Sequence, residues 1–197
     1  MTALTTPTMD REKFKETLLY VAARLARLPS YGSIKLNKVL FFSDVLHYAT
    51  YGKSITGATY VRHKFGPAPR GLRQIQQEMI DADEADLAVT VSPDEHRSNR
   101  LLFATREADI TKFTGSEIEV IGRVINMVKD HTAEEASDLS HALEGWQIAA
   151  QGEVIPYEAI FLYRTPLTRE DEARADSLVE ELRGELERAG VHLEPVA

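Results

Sequence analysis

Three side chains able to move a proton or hold a metal, Lys38, Asp44 and His47, share the apolar run KLNKVLFFSDVLHYATYG at residues 35–52. Asp44 and His47 stand three residues apart, so a helix would put both on one face, where they could act as an acid–base pair or share a metal. The same spacing suits a hydrogen-bonded polar pair at the rim of a buried helix. That second reading is favoured, because structural networks perturb such pairs as readily as active sites do. No Gly-x-Ser-x-Gly elbow is present, and nothing couples a serine to a histidine. The six histidines (47, 63, 96, 131, 141, 192) are scattered, without a His-Glu-x-x-His motif. The chain has no cysteine, which excludes disulfides, thiolate zinc sites and thiol nucleophiles. The chain therefore reads as a non-enzyme, with no metal or cofactor.

Charge points towards recognition. The formal net charge is −8, yet from Lys35 to Arg73 there are seven Lys/Arg and a single acid, Asp44. A basic segment inside an acidic protein suits an acidic partner patch and argues against general nucleic-acid binding, which needs a broad basic footprint. The Gly66-Pro67-Ala68-Pro69 stretch makes a poor phosphate loop, since prolines lack the N–H groups that would cradle an anion. With 43% apolar and 27% charged residues, the chain has the composition of a globular domain. No apolar run approaches the roughly 20 residues that span a bilayer, and the start, MTALTTPTMDREKFKE, does not read as a secretory signal. A cytoplasmic protein that meets no membrane is expected.

The elements that must position these residues follow from periodicity and punctuation. Residues 1–9 read as a flexible arm. Asp10 caps a helix to about Leu28 that carries Phe14, Leu18, Val21, Ala22 and Leu25 on one face. Ser33 caps a second helix, 34–50, apolar nearly all round and so central to a core; Gly52 closes it. Residues 58–65 alternate as a strand, on which Tyr60, Arg62 and Lys64 are expected outward and Val61, His63 and Phe65 inward. Gly66–Pro69 should break that strand and lead into a helix of about 69–82. A hairpin is expected from 87–91 and 100–105, across the polar loop SPDEHRSN. Thr114/Glu117 and Thr132/Glu135 form two capping boxes, opening helices to about Lys129 and His141. The pair resembles a helix-turn-helix, but 133–140 holds three acids and no Lys or Arg, a poor face for DNA. Trp146, Tyr157 and Phe161 are expected in the core. Thr168 should cap a long amphipathic helix, 169–189. The order implies an α+β fold: a mostly α-helical single domain with a small antiparallel β-sheet and a long C-terminal amphipathic helix. Its divisions are 1–9, 10–165 and 166–197.

The stretch 35–72 resembles the signature of Panacea-domain proteins, which include SocA-like antitoxins and phage-associated proteins. The residues carrying the resemblance are Lys35, Leu36, Lys38, Leu40, Phe41, His47, Gly52, Ile55, Tyr60, Lys64, Gly66 and Pro67. Gly152-Glu-Val-Ile-Pro-Tyr157 resembles a segment of some members, and Ala68 stands where many have valine. The resemblance covers about 12–160. It implies an antitoxin domain within a toxin–antitoxin system, which neutralises a co-encoded protein toxin by direct protein–protein binding. One branch instead acts as an adaptor delivering a toxin to a protease, so a protease or chaperone is a second partner class. A DNA-binding autoregulator is a third reading, and a homodimer through the C-terminal helix stays open. The expected partner-binding residues are Lys38, Asp44, His47, Tyr48, Tyr60, Arg62, Lys64 and Arg70, of types that interfaces favour.

Overall fold

A computed structural model of the chain describes residues 8–28, 31–91, 98–162 and 177. The chain divides into two units, Met1–Leu162 and Tyr163–Ala197, and the first contains every described residue except Ser177. Apart from Ser177, the expected C-terminal helix lies outside the described residues, as do residues 1–7 of the expected arm. The end of the arm is tied down: Met9 packs on the core, and the N–H of the adjoining cap residue Asp10 donates to the Thr56 carbonyl at 2.9 Å.

Helix α1, Arg11–Leu25, is opened by the Asp10 carboxylate, which accepts the Lys13 N–H at 3.0 Å. It buries Phe14, Leu18, Val21, Ala22 and Leu25, as the spacing predicts. Helix α2, Ser33–Tyr51, is the centre of the core and touches α1, further helices and both β-hairpins. Burying side chains such as Leu36, Leu40 and Phe41 is worth about 1.5–3 kcal/mol each, and all three are enclosed. Gly52 ends α2 at φ 71°, the left-handed conformation that glycine adopts without a Cβ penalty. The start of α2 departs from expectation. Its N-cap is Gly32, not Ser33, and makes no side-chain cap. Asn99, 66 residues along the chain, supplies the cap instead: its Oδ1 accepts the Ser33 N–H at 3.2 Å.

Strands β1, Tyr60–His63, and β2, Gly66–Pro69, form an antiparallel hairpin, with β5, Val154–Ile155, on the other side of β1. Gly66–Pro69 therefore does not break the sheet, as expected from its prolines; it is the edge strand. Both the N–H and the C=O of Arg62 turn towards the Gly152–Glu153 side. The pairs Arg62–Pro67 and Tyr60–Pro69 are then the non-hydrogen-bonded ones, and both proline nitrogens face away from β1. A proline at such an edge position leaves no ladder donor missing. Helix α3, Leu72–Asp81, follows, and β3, Ala85–Val91, pairs with β4, Ser98–Ala104, as the second hairpin.

Helices α4, Gly115–Val128, and α5, Ala133–His141, begin with the two expected capping boxes, both fully formed. Helix α5 packs on α2 and β2 through Ala136, Ser137 and Ser140, so it serves as packing. A short α6, Glu144–Ile148, precedes β5, and a 3₁₀ turn, Tyr157–Phe161, follows it. Tyr157 is buried as expected, but Trp146 is only half-buried and Phe161 is 63% exposed. Their aromatic character alone did not place them: Trp146 is claimed by the surface of the first hairpin, and Phe161 lies against Tyr48 at the end of α2. The described part is an α+β fold, with six α-helices, a small three-stranded antiparallel sheet and a separate two-stranded one among the described residues.

Candidate functional site

The polar groups inside α2 are spent on holding neighbouring backbone. The Asp44 carboxylate accepts the Thr56 N–H at 2.7 Å, the Thr56 hydroxyl at 2.5 Å and the Tyr60 hydroxyl at 2.7 Å. Burial raises its pKa, and the bonds from Thr56 and Tyr60 oppose that rise. Burial and the neighbouring Asp44 charge likewise push the Tyr60 phenol up. His47 sits with Nδ1 at 2.5 Å from the Lys53 carbonyl and Nε2 at 3.4 Å from Ser116 Oγ. The two residues therefore do not form the rim pair the spacing suggests. Both are buried, and each pins a different part of the loop after α2. Tyr60, expected outward, is 1% exposed and packs edge-on against Phe41. Its hydroxyl bond to Asp44 turns this face of the strand inward, and His63 and Phe65, expected inward, are exposed. Val61 is buried and Lys64 exposed, both as expected.

Lys38 holds the hairpin turn. Its ammonium is buried and donates to the Phe65 carbonyl, which also accepts from the Ser137 hydroxyl at 3.1 Å. Gly66 follows at φ 100°, and a Cβ there would overlap both the Lys38 ammonium and the Ser140 hydroxyl. Only glycine fits at this approach. Burial pulls the Lys38 pKa from 10.5 to about 7.

The outer residues are organised differently. The Arg62 guanidinium lies 4.3 Å from the centre of the Trp146 ring and donates to the Ala149 carbonyl. Trp146 stacks on His141 at 3.8 Å and donates from Nε1 to the His63 carbonyl at 3.3 Å. Burial lowers the His141 pKa, and the nearby Lys38 charge adds to that. Tyr48 is half-buried: its hydroxyl donates to Glu158 Oε1 at 2.8 Å and its ring stacks on Tyr157. Lys64 and Arg70 are exposed. Of the eight candidates, Lys38, Asp44, His47 and Tyr60 are thus interior, Tyr48 and Arg62 are half-buried, and only Lys64, its ammonium 5.4 Å from the centre of the Phe65 ring, and Arg70 are exposed.

A groove of about 630 Å³ opens between the first turns of α2 and α3 and the β1–β2 hairpin. Arg70 lines it together with His63, Arg73 and Asn37, which the sequence reading did not single out. Arg73 lies three residues beyond Arg70 where a helix begins, a signal available in the sequence; the contribution of Asn37, from inside the α2 pattern, is not.

Compared with known families, the chain matches the family model of the SocA-like antitoxins, Panacea domain, over residues 36–147. The chain belongs to this family. No curated protein and no solved structure gives a significant match. The Panacea-domain match runs from α2 into α6 and contains all eight candidates, but is shorter than the expected span of 12–160 and omits α1 and β5. Within this Panacea domain, the residues that carry the resemblance are largely internal fasteners: Lys38 against the turn at Gly66, His47 against the loop after Gly52, and Tyr60 against Asp44.

Proposed function

We propose that the protein is an antitoxin that neutralises a co-encoded protein toxin in the cytoplasm by direct contact. The observation that carries this reading is the Panacea-domain match over more than half the chain. The placement of charge agrees with it. Arg62, Lys64 and Arg70 lie on one hairpin and its exit, in a protein of net charge −8, so an acidic toxin surface is attracted to this region and repelled elsewhere. Of the candidate set, Arg62, Lys64, Arg70 and the edge of Tyr48 are the contact residues. Lys38, Asp44, His47 and Tyr60 act by holding the hairpin in shape. Interfaces favour arginine backed by an aromatic ring, as Arg62 is by Trp146. A role in recognition, and not in catalysis, is supported by the commitment of the acid–base groups of α2 to internal hydrogen bonds.

The test is co-expression with each adjacent reading frame. One neighbour should arrest growth alone, be tolerated together with this chain, and co-purify with it. If no neighbour is toxic, or the toxicity persists beside abundant folded protein, the proposal fails.

A further inference from the structure

We infer that the groove between the first turns of α2 and α3 receives an extended acidic segment of the partner, with an apolar side chain set against Ile34, Val61, Ala68 and Leu72. That the partner is a protein toxin rests on the antitoxin reading; the chemistry of the segment comes from the groove itself. Two arginines, Arg70 and Arg73, line the groove together with His63, and no aspartate or glutamate does among the described residues. The local sign is therefore opposite to that of the whole chain, at net −8. Neither the Arg70 nor the Arg73 guanidinium makes an ion pair or a hydrogen bond among the described residues, and both residues are exposed. Their planar forks are free to take carboxylates two bonds at a time. Helices α2 and α3 both start at glycine N-caps, with Asn99 taking only the Ser33 N–H of α2, and both starts line this groove. Their positive ends add to the same field.

The binding mode follows from β2. Adding a strand to a sheet edge needs outward N–H donors. On β2 the outward positions are Pro67 and Pro69, so strand addition along that edge lacks its donors. Recognition must come from side chains entering the groove. Asn37 is also in the groove wall; its Oδ1 is buried without a partner among the described residues, and turning that side chain outward would offer an acceptor to a backbone N–H of the incoming segment. A volume of about 630 Å³ is within the roughly 300–1,000 Å³ of ordinary ligand sites. It accommodates a few side chains, whereas a nucleic acid needs a longer basic track.

The full chain is panned against a displayed library of random dodecapeptides, and enriched peptides are measured by fluorescence anisotropy. The inference expects enriched sequences with two or more Asp/Glu around an aromatic or large aliphatic residue. It expects their affinity to fall at least tenfold in Arg70→Glu/Arg73→Glu and to be unchanged in Arg123→Glu, an exposed control on α4. Both variants should melt like the wild type. Enrichment of basic peptides or of none, or affinity untouched by the double variant, overturns it. So does duplex DNA bound with the same dependence on Arg70 and Arg73, or a self-association that the double variant abolishes. The same double variant tested against the cognate toxin separates the two proposals. A toxin complex of undiminished affinity would keep the antitoxin and discard the groove, whereas acidic-peptide binding without any toxic neighbour would do the reverse.

Discussion

An amine and a carboxylate buried in one helix both disfavour the charged state, and the protein handles them differently. Asp44 keeps three donors around it, so its cost is offset locally. Lys38 donates to the Phe65 carbonyl with no carboxylate partner among the described residues, and burial brings its pKa down to about 7. In the unfolded chain a lysine titrates near 10.4. Between about pH 7 and 10 the unfolded state therefore binds more protons than the folded one, and this group makes stability rise with pH. The slope is at most about 1.4 kcal/mol per pH unit. Lys38→Met removes the rise. Urea denaturation at pH 7, 8, 9 and 10 should show the wild type gaining on the variant through this window. Parallel stabilities would mean that Lys38 is solvated and charged in the folded protein.

The elements were legible where their signals are local. The all-round apolar pattern of α2, the glycine that ends it and both capping boxes can be read from neighbouring residues, and all are formed. What escaped reading depends on distant partners. Ser33 has the chemistry of a cap, but the helix starts one residue earlier and takes its acceptor from β4. Gly66–Pro69 reads as a breaker because whether a proline N faces a neighbouring strand is decided by β1 and β5. The same long-range bond makes a prediction. Asn99→Ala should cost about 1 kcal/mol, the usual value of a helix N-cap, although Asn99 belongs to another element. Denaturant midpoints measure it, and a change below ~0.3 kcal/mol would mean that water caps α2 equally well.

For the whole molecule, an α+β fold around a central α2 was open to inspection of the sequence, and so was the polarity of charge. The direction of the first strand was not. Alternation identifies two faces but not which one is inward, and the buried Asp44 decides that by claiming Tyr60. Tyr60 thereby moved from surface to interior, where it joins Lys38, Asp44 and His47 of α2. The motif that marks the family thus shapes the hairpin, while its exposed arginines and lysine are left to meet a partner. Such contacts weaken with salt as screening shortens to about 8 Å at physiological ionic strength. The most direct measurement of this account is reconstitution from purified components: the toxin from the adjacent gene, its inhibited target reaction, and this chain alone. The account predicts that stoichiometric addition restores the target reaction with no protease or nucleotide present, and that Arg62→Glu/Lys64→Glu, folded as judged by melting, requires at least tenfold more protein. Restoration only in the presence of a protease, or none despite a folded chain, would contradict it.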